Sequence, residues 1–351
     1  MKKLKVCVFG LGKIFKKHQQ AIKDCKKYFQ LESVCEINLK NFENYELNKK
    51  VSKYLSIDDA CKNSKADIAV ILTPSGYHYE HIKKISKFFK SIIVEKPMAM
   101  NFHEAKKIIK NFKRLKKNLF IVKQNRFNPP IIELKKAIDQ KRFGKIFLAT
   151  IRLRWNRDTK YFMQDMWRGT WKYDGGVLAN QASHHIDLLQ WLVGDLKSVY
   201  AKTLKIVKTT KVPDTCLALI KFKNGAIGSI EATTATSPKN IEGSISILGT
   251  KGTVVVGGFA TSKIETWEFQ NKKKIDYVLK NSSLQKQNII KSNHISFYEN
   301  VYKFLQNKRN SVTTYIDGAK SIKIIDKLYC SAEISREVFL NDKNYSKKLG
   351  H

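Results

Sequence analysis

The stretch KVCVFGLGKIF, residues 5–15, constrains this chain more than any other. An apolar, β-branched run stops at Gly10, a second glycine follows at Gly12, and a helical pattern begins at once. A strand that turns into a helix through Gly-x-Gly opens a βα unit, and it presents backbone N–H groups at a helix N-terminus to an anion. Gly10 permits the tight turn, and Gly12 lets the backbone approach a pyrophosphate. The third small position of this pattern falls on Phe15. That position governs how closely helix and sheet pack, so the ring is expected to widen the packing or turn into a neighbouring gap without touching the pyrophosphate.

The alternation continues. LESVCE (31–36), ADIAVILT (66–73), SIIVEK (91–96) and LFIVKQN (119–125) read as strands, and 14–28, 78–89 and 102–115 are amphipathic at helical spacing. Continuous apolar strands separated by helices imply a parallel sheet covered on both faces. The expected fold class is α/β, with a doubly wound Rossmann domain over residues 1–123. After RFNPP (126–130) the character changes. A helix (IIELKKAIDQ), the turn RFGK, a strand (145–155), a polar aromatic loop and the helix SHHIDLLQWLVG lead into strands between about 197 and 270. Asn224-Gly225 and Lys251-Gly252 mark hairpins there. A helical region at 294–339 closes a second, α+β domain over 124–351, expected to be a mostly antiparallel open sheet with helices on one face, serving substrate binding and oligomerisation.

Composition narrows the class. No run approaches the roughly 20 apolar residues of a membrane-spanning helix, and MKKLKVCVFG enters a glycine turn where a secretory leader would place a cleavage site, so a cytoplasmic protein is expected. The six cysteines are scattered, without metal-ligand spacing, and are expected to be reduced packing residues; no metal is expected. The net charge of +36 is mostly lysine in KK and KxxK patterns on helix surfaces. Arginine interleaved with aromatics is the better footprint of nucleic acid binding. A solvated lysine surface that also draws in an anionic small substrate is the preferred reading, and a nucleic-acid-binding protein with a Rossmann domain is the other.

Candidate site residues fall at strand ends. Glu36 ends the second strand, where a carboxylate binds both adenosine-ribose hydroxyls and repels a 2′-phosphate, favouring NAD; otherwise it is a surface acid beside Asn38. Parallel strands finish on one edge, where ligands bind, so Thr73-Pro74-Ser75 and Glu95-Lys96-Pro97 should share a crevice. Lys96, partly desolvated there, suits proton transfer, unless it is one more surface lysine. In GGVLANQASHHIDLLQWL, His184 and Asp187 lie three apart on one helix face, with Asn180 a turn earlier. This group could orient a hydroxyl and take its proton, or form a helix cap with a buried histidine. A metal at His184, His185 and Asp187 is disfavoured, because adjacent histidines point to different faces.

Together GLGKI (10–14), TPSGYH (73–78), EKP (95–97) and the GG…NxxxHxxD run (175–187) resemble the Gfo/Idh/MocA family of nicotinamide-dependent sugar and polyol oxidoreductases, over nearly the whole chain. The resemblance implies NAD as cofactor, bound by Gly10, Gly12, Lys13, Ile14, Glu36, Thr73, Pro74, Ser75, His78, Glu95, Lys96 and Gln124, with Trp167 and Arg168 reaching it from the second domain. It makes Lys96 and His184 the acid/base residues, with Asp187 beside them.

Asn180 stands where many inositol-type members carry an aspartate, and an amide accepts no proton. Asparagine there is similar to members that oxidise the C3 hydroxyl of UDP-linked acetamido sugars. The expected reaction is therefore NAD-dependent oxidation at C3 of a UDP-N-acetylhexosamine or its uronate, giving a 3-keto sugar for cell-surface glycan synthesis. Arg154, Trp155, Arg157 and Trp171, in the loop 152–171, would supply phosphate contacts and stacking beside Lys96, Asn180 and His184; the same loop could instead be an oligomer contact. A dehydrogenase of free sugars or inositols and a non-catalytic NAD-binding regulator are the alternatives. The expected partners are a sugar or UDP-sugar and further copies of the chain, as a dimer or tetramer, with neither nucleic acid nor membrane.

Overall fold

The computed structural model describes residues 3–280 and 293–351. They divide into two compact units. One holds the chain up to Ala99, His103–Gln124 and the described residues up to Ala319; the other holds Met100–Phe102, the described residues from Asn125 to Lys280, and Lys320–His351.

In the first unit, strands β1 (Leu4–Phe9), β2 (Phe29–Cys35), β3 (Ser52–Tyr54), β4 (Ile68–Ile71), β5 (Ser91–Val94) and β6 (Asn118–Ile121) form one parallel sheet in the order β3-β2-β1-β4-β5-β6. Helices α1 (Phe15–Asp24), α2 (Lys40–Glu43), α3 (Ile57–Asn63), α4 (His78–Ile85) and α5 (Phe102–Leu115) make the connections. Val6, Val8, Val70, Ile92 and Ile93 are fully buried, as strands covered on both faces must be. The strand order reverses between β1 and β4, and open α/β sheets bind ligands at such a reversal, beyond the carboxyl ends of the strands, here those of Phe9 and Ile71. The polar edge strand β3 and the short α2 and α3 carry too little periodicity to be read from sequence.

The second unit is built on β7 (Ile146–Arg154), β8 (Leu196–Leu204), β9 (Thr215–Phe222), β10 (Ile227–Thr233), β11 (Glu242–Gly249), β12 (Gly252–Gly257), β13 (Lys263–Phe269) and β14 (Val338–Phe339). Their order is β13-β12-β11-β7-β10-β9-β8-β14, antiparallel except where β7 meets β10. The helices of the chain from here on are α6 (Pro129–Asp139), α7 (Thr159–Met163), α8 (Ser183–Val193), α9 (Lys274–Lys280), α10 (Asn293–Leu305) and α11 (Tyr315–Ile334). Ala149, Ile151 and Leu153 of β7 join Leu134 of α6, Ile186 and Leu189 of α8 and Leu328 of α11 in one core. The opposite face of the sheet exposes Leu217, Leu219 and Ile227. Both expected hairpins, β9–β10 and β11–β12, form at their glycine turns.

The tail differs from the expectation of one domain over 124–351. Helix α10 belongs to the first unit, because its buried face, Ile295, Tyr298 and Tyr302, packs aromatic rings on those of Tyr28 and Phe29. Val338–Phe339, expected within a helical region, instead pairs with β8 as an edge strand.

Candidate functional site

The glycine loop keeps its two jobs separate. Gly10 has φ +99°, and a Cβ there would stand 3.0 Å from the backbone of Leu72 and Thr73, so the fold itself requires glycine. A Cβ on Gly12 would meet nothing within 4 Å. Its missing side chain leaves a cradle open beside the start of α1, where the N-cap residue Ile14 makes no side-chain hydrogen bond. Open backbone beside a helix N-terminus is what a pyrophosphate needs, so the loop fits a dinucleotide. Lys13 is exposed and Ile14 half-buried beside it.

Phe15 turns into a gap, as expected: it is fully buried, edge-on to Tyr45 at 4.8 Å between ring centroids. Burying such a ring stabilises the fold by roughly 1.5–3 kcal/mol. Tyr45 in turn donates its O–H to the Gly12 carbonyl, 2.8 Å away.

Glu36 also grips this loop. One carboxylate oxygen accepts the Leu11 N–H at 2.8 Å and the other the Asn38 N–H at 3.0 Å. A carboxylate offers about four lone-pair sites, which leaves room for two ribose hydroxyls. The neighbouring Ile37 is 82% exposed, an apolar surface beside the ribose position that the sequence reading passed over.

Along the same edge, Thr73, Pro74 and Ser75 are half-buried, and the Thr73 hydroxyl meets His81 Nδ1 at 2.8 Å. His78, expected beside the cofactor, has backbone partners on both sides. It is buried, with Nδ1 at 2.6 Å from the Pro97 carbonyl and Nε2 at 2.7 Å from that of Thr73, so it braces the β4 and β5 ends against each other. Glu95 likewise turns inward, away from the expected lining role. Its Oε1 accepts from His18 Nε2 at 3.0 Å, and its Oε2 accepts the Lys96 N–H at 3.1 Å. Burial would raise its pKa, but the hydrogen bonds it receives from His18 and His294 outweigh that and hold the carboxyl well below its ordinary value. Lys96 and Gln124 are half-buried at the ends of β5 and β6.

In the second unit a π-helical turn, Val177–Gln181, leads into α8. Asp174 accepts from Asn180 Nδ2 at 2.6 Å and from the Gly169 N–H, which fixes the amide's direction. His184 is half-buried, whereas His185 is fully buried under Trp155, and burial pushes its pKa down to about 4. The two rings thus face different surroundings, as their adjacency implies. Asp187 is buried and takes two hydrogen bonds from Arg126, at 2.8 and 2.9 Å. The pair ties α8 to the segment that precedes α6.

In the loop 152–171, two residues expected to meet a sugar nucleotide have partners within the second unit. Arg154 is bidentate to Glu231 and 3.3 Å from Glu242, and so is committed to the sheet. Trp155 is 9% exposed, stacked on Phe259, with its indole N–H on the Phe259 carbonyl; it is a core residue. Arg157 lies over the rings of Trp155 and Tyr161, and Arg168 over those of Tyr161 and Trp167. Arg168 also bonds Asp165 and the Tyr161 hydroxyl, which receives Gln181 as well. Trp171 is edge-on to Tyr329 and half-buried. Arg157, Arg168 and Gln181 thus meet at Tyr161, and Asn180 is held by the buried Asp174.

Sequence reasoning missed Tyr45, Tyr161, Asp174 and the pair His18 and His294. His18 was legible in principle, because it shares a helical face with Phe15 and Ile22; His294 lies 276 residues further on and gives no local signal.

A doubly wound parallel sheet with an anion-binding glycine loop and a carboxylate on its second strand defines a dinucleotide-dependent oxidoreductase, here joined to an open-sheet unit. The chain matches the oxidoreductase family's NAD-binding Rossmann fold over residues 4–123 and its C-terminal alpha/beta domain over residues 135–340. It belongs to the Gfo/Idh/MocA oxidoreductase family, and its cofactor is NAD.

Among solved structures, the WlbA dehydrogenase of Chromobacterium violaceum, in complex with NADH and UDP-GlcNAcA, is 35% identical, with a TM-score of 0.91 and 98% of each chain covered. WlbA of Bordetella pertussis, in a complex with the same two compounds, is 34% identical at a TM-score of 0.91, covering 98% of this chain and 99% of that one. The NAD-dependent scyllo-inositol 2-dehydrogenase of Bacillus subtilis is 26% identical over 54% of this chain and 55% of its own length. The chain spans about half the length of the first curated relatives it matches, 44% and 55%. No described helix is long and apolar enough to cross a membrane.

Proposed function

We propose that this protein oxidises the C3 hydroxyl of a UDP-linked N-acetylhexosamine or its uronate, giving a 3-keto sugar nucleotide. The observation that carries this reading is likeness along the whole chain to dehydrogenases crystallised with NADH and UDP-GlcNAcA. Asn180, held by Asp174, agrees with it, since the amide can orient a sugar hydroxyl but not deprotonate it. NAD supplies the hydride acceptor, at C4 of its nicotinamide. Lys96 and His184 are the groups that take the hydroxyl proton, and a Lys96 ammonium also stabilises the alkoxide character that develops as the C3–H bond breaks. The 3-ketone then suits a sugar nucleotide on its way to cell-surface glycan. Because Arg154 is paired with Glu231 and Arg168 with Asp165, the diphosphate contacts in this reading come from Arg157, and Trp171 offers a stacking surface.

The test is NADH formation with UDP-GlcNAcA and UDP-GlcNAc set against free sugars and inositols. Turnover confined to the UDP-sugars is expected. Turnover on inositols alone would move the assignment to the second reading, a free-polyol dehydrogenase, which the inositol dehydrogenase relative favours. NADH binding with no turnover on any sugar would make the protein a regulator.

In the same reading the chain self-associates through the open face of its second sheet, in the cytoplasm. Leu217, Leu219 and Ile227 are 60%, 65% and 57% exposed there, more apolar surface than a strand face in water ordinarily shows. Light scattering on a Leu219→Lys variant is expected to show loss of dimers or tetramers.

A further inference from the structure

The residue before Lys96 is anchored to two distant helices. Within the first unit, the Glu95 side chain is 11% exposed and that of His18 is fully buried. His18 Nε2 lies 3.0 Å from Glu95 Oε1, and its Nδ1 lies 2.9 Å from the Tyr298 hydroxyl. His294 Nε2 approaches the same carboxylate oxygen at 3.8 Å. Burial lowers the pKa of His18 and, with the charge of Glu95, raises that of Tyr298 well above its usual range, so the imidazole is neutral and the phenol keeps its proton. One arrangement then gives every contact a donor: Tyr298 O–H donates to His18 Nδ1, and His18 Nε2–H donates to Glu95. The other carboxylate oxygen accepts the Lys96 N–H at 3.1 Å.

This chain of bonds ends on the peptide plane that joins Glu95 to Lys96. That plane sets the direction in which the Lys96 side chain leaves the sheet. A buried anion is an expensive way to fill space, and an apolar residue of similar volume packs as well or better; fixing a peptide plane, by contrast, needs an acceptor at a defined point.

We infer that His18, Glu95 and Tyr298 are positioning residues for Lys96, holding its backbone so that its amine meets the substrate hydroxyl in the reactive direction. The inference rests on the reading of Lys96 as an acid/base residue. None of the three touches the reacting atoms in this assignment; they act through the Lys96 amide. The titratable groups around this strand end are His78 from α4, Lys17 and His18 from α1, and His294 and Tyr298 from α10.

The experiment compares full-length His18→Leu, His18→Gln, Tyr298→Phe and Lys96→Ala with wild type. Its readouts are kcat and KM across pH on the UDP-sugar found active, NADH affinity by fluorescence, and melting temperature. His18→Leu is expected to lower kcat on the order of ten- to a hundredfold and to displace the pH limb of kcat, with NADH affinity kept. His18→Gln, which retains an N–H donor, is expected to recover most of the loss, and Tyr298→Phe to show a loss of roughly threefold. Should His18→Leu fail to fold, Tyr298→Phe and His18→Gln decide, and a kcat and pH limb unmoved in Tyr298→Phe would overturn the proposal.

An inactive Lys96→Ala beside His18 and Tyr298 variants with unmoved kcat and pH profile overturns the positioning role alone. A fully active Lys96→Ala overturns the Lys96 reading itself, whatever the His18 variants do. The ligand-type atoms of His18, Glu95 and His294 all lie within 4.8 Å of one another. One equivalent of zinc per chain, with activity lost on chelation, would therefore also overturn the proposal, because an ion and not hydrogen bonds would then hold Glu95.

Discussion

Glu36 Oε2 accepts the backbone N–H of Leu11 at 2.8 Å, so the carboxylate at the end of the second strand holds the glycine loop before any ribose reaches it. In the proposed reading one side chain thereby shapes the pyrophosphate loop and presents charge to the adenosine hydroxyls. Glu36→Ala removes both actions. A lost hydrogen bond to a charged group is worth about 1.5–3 kcal/mol, so the dissociation constant of NADH should rise by roughly ten- to a hundredfold. NADP should gain relative to NAD, because the repulsion of a 2′-phosphate is gone. Fluorescence titration with both cofactors checks this; an unchanged NAD preference would detach Glu36 from cofactor choice.

The two loop glycines should separate in their consequences. Gly12→Ala puts a methyl where no protein atom lies within 4 Å, so the melting temperature should hold while NADH affinity collapses. Gly10→Ala forces a side chain onto a φ of +99° against Leu72 and Thr73, so it should destabilise the fold itself, by about 1–3 kcal/mol. Denaturant unfolding set beside NADH titration reads both, and a Gly12→Ala protein that binds NADH normally would show that no backbone approach is made there.

What the sequence disclosed and what it concealed divide by the range of the interaction. Gly10, Gly12 and Glu36 act through local backbone geometry and a strand end, so the pattern of strand, turn and helix discloses them. The hairpins at Asn224-Gly225 and Lys251-Gly252 are legible for the same reason. Arg154 and Trp155 could be read as ligand groups only because nothing local tells that Glu231 and Phe259, 77 and 104 residues away, claim them. The inward turn of Glu95 is met by His18, 77 residues earlier, which is itself held by Tyr298 on a helix that returns from the far end of the chain, and no periodicity encodes that return. Asp187 kept its helix position as expected; its partner Arg126, 61 residues earlier, was invisible.

The Arg126–Asp187 pair is the clearest stability prediction in the second unit. Both side chains are nearly inaccessible, 6% and 2% exposed, and the guanidinium also lies 4.9 Å from the Trp191 ring centroid. Removing one partner strands a buried charge, so Asp187→Leu and Arg126→Met singly should each cost about 3–5 kcal/mol, while the double variant should recover much of that. Urea unfolding of the four proteins gives the coupling. If Asp187 instead moved protons, its variants would lose turnover with their unfolding midpoints intact.

Acid should destabilise this protein through two histidines, the buried His185 and the half-buried His81, as the pH falls towards the carboxylate range. His185 and His81 are both pushed down to about 4, chiefly by burial, from an ordinary 6.5. Each folded-state pKa lies below its unfolded value, so between these pH values the unfolded chain binds more protons. The stability they contribute is fully present above pH 6.5 and is lost as the pH falls towards 4. For His185, fully buried, the whole window is worth on the order of 3 kcal/mol. Glu95, held well below 4.5, extends the loss to still lower pH, whereas Asp326, raised by burial, works in the opposite direction in the carboxylate range. His185→Leu should therefore melt below wild type at neutral pH if its packing suffers, but the gap should close or reverse on acidification towards pH 4. Melting curves of the two proteins across that window check this, and a gap that does not change with pH would mean that the His185 ring is not held neutral.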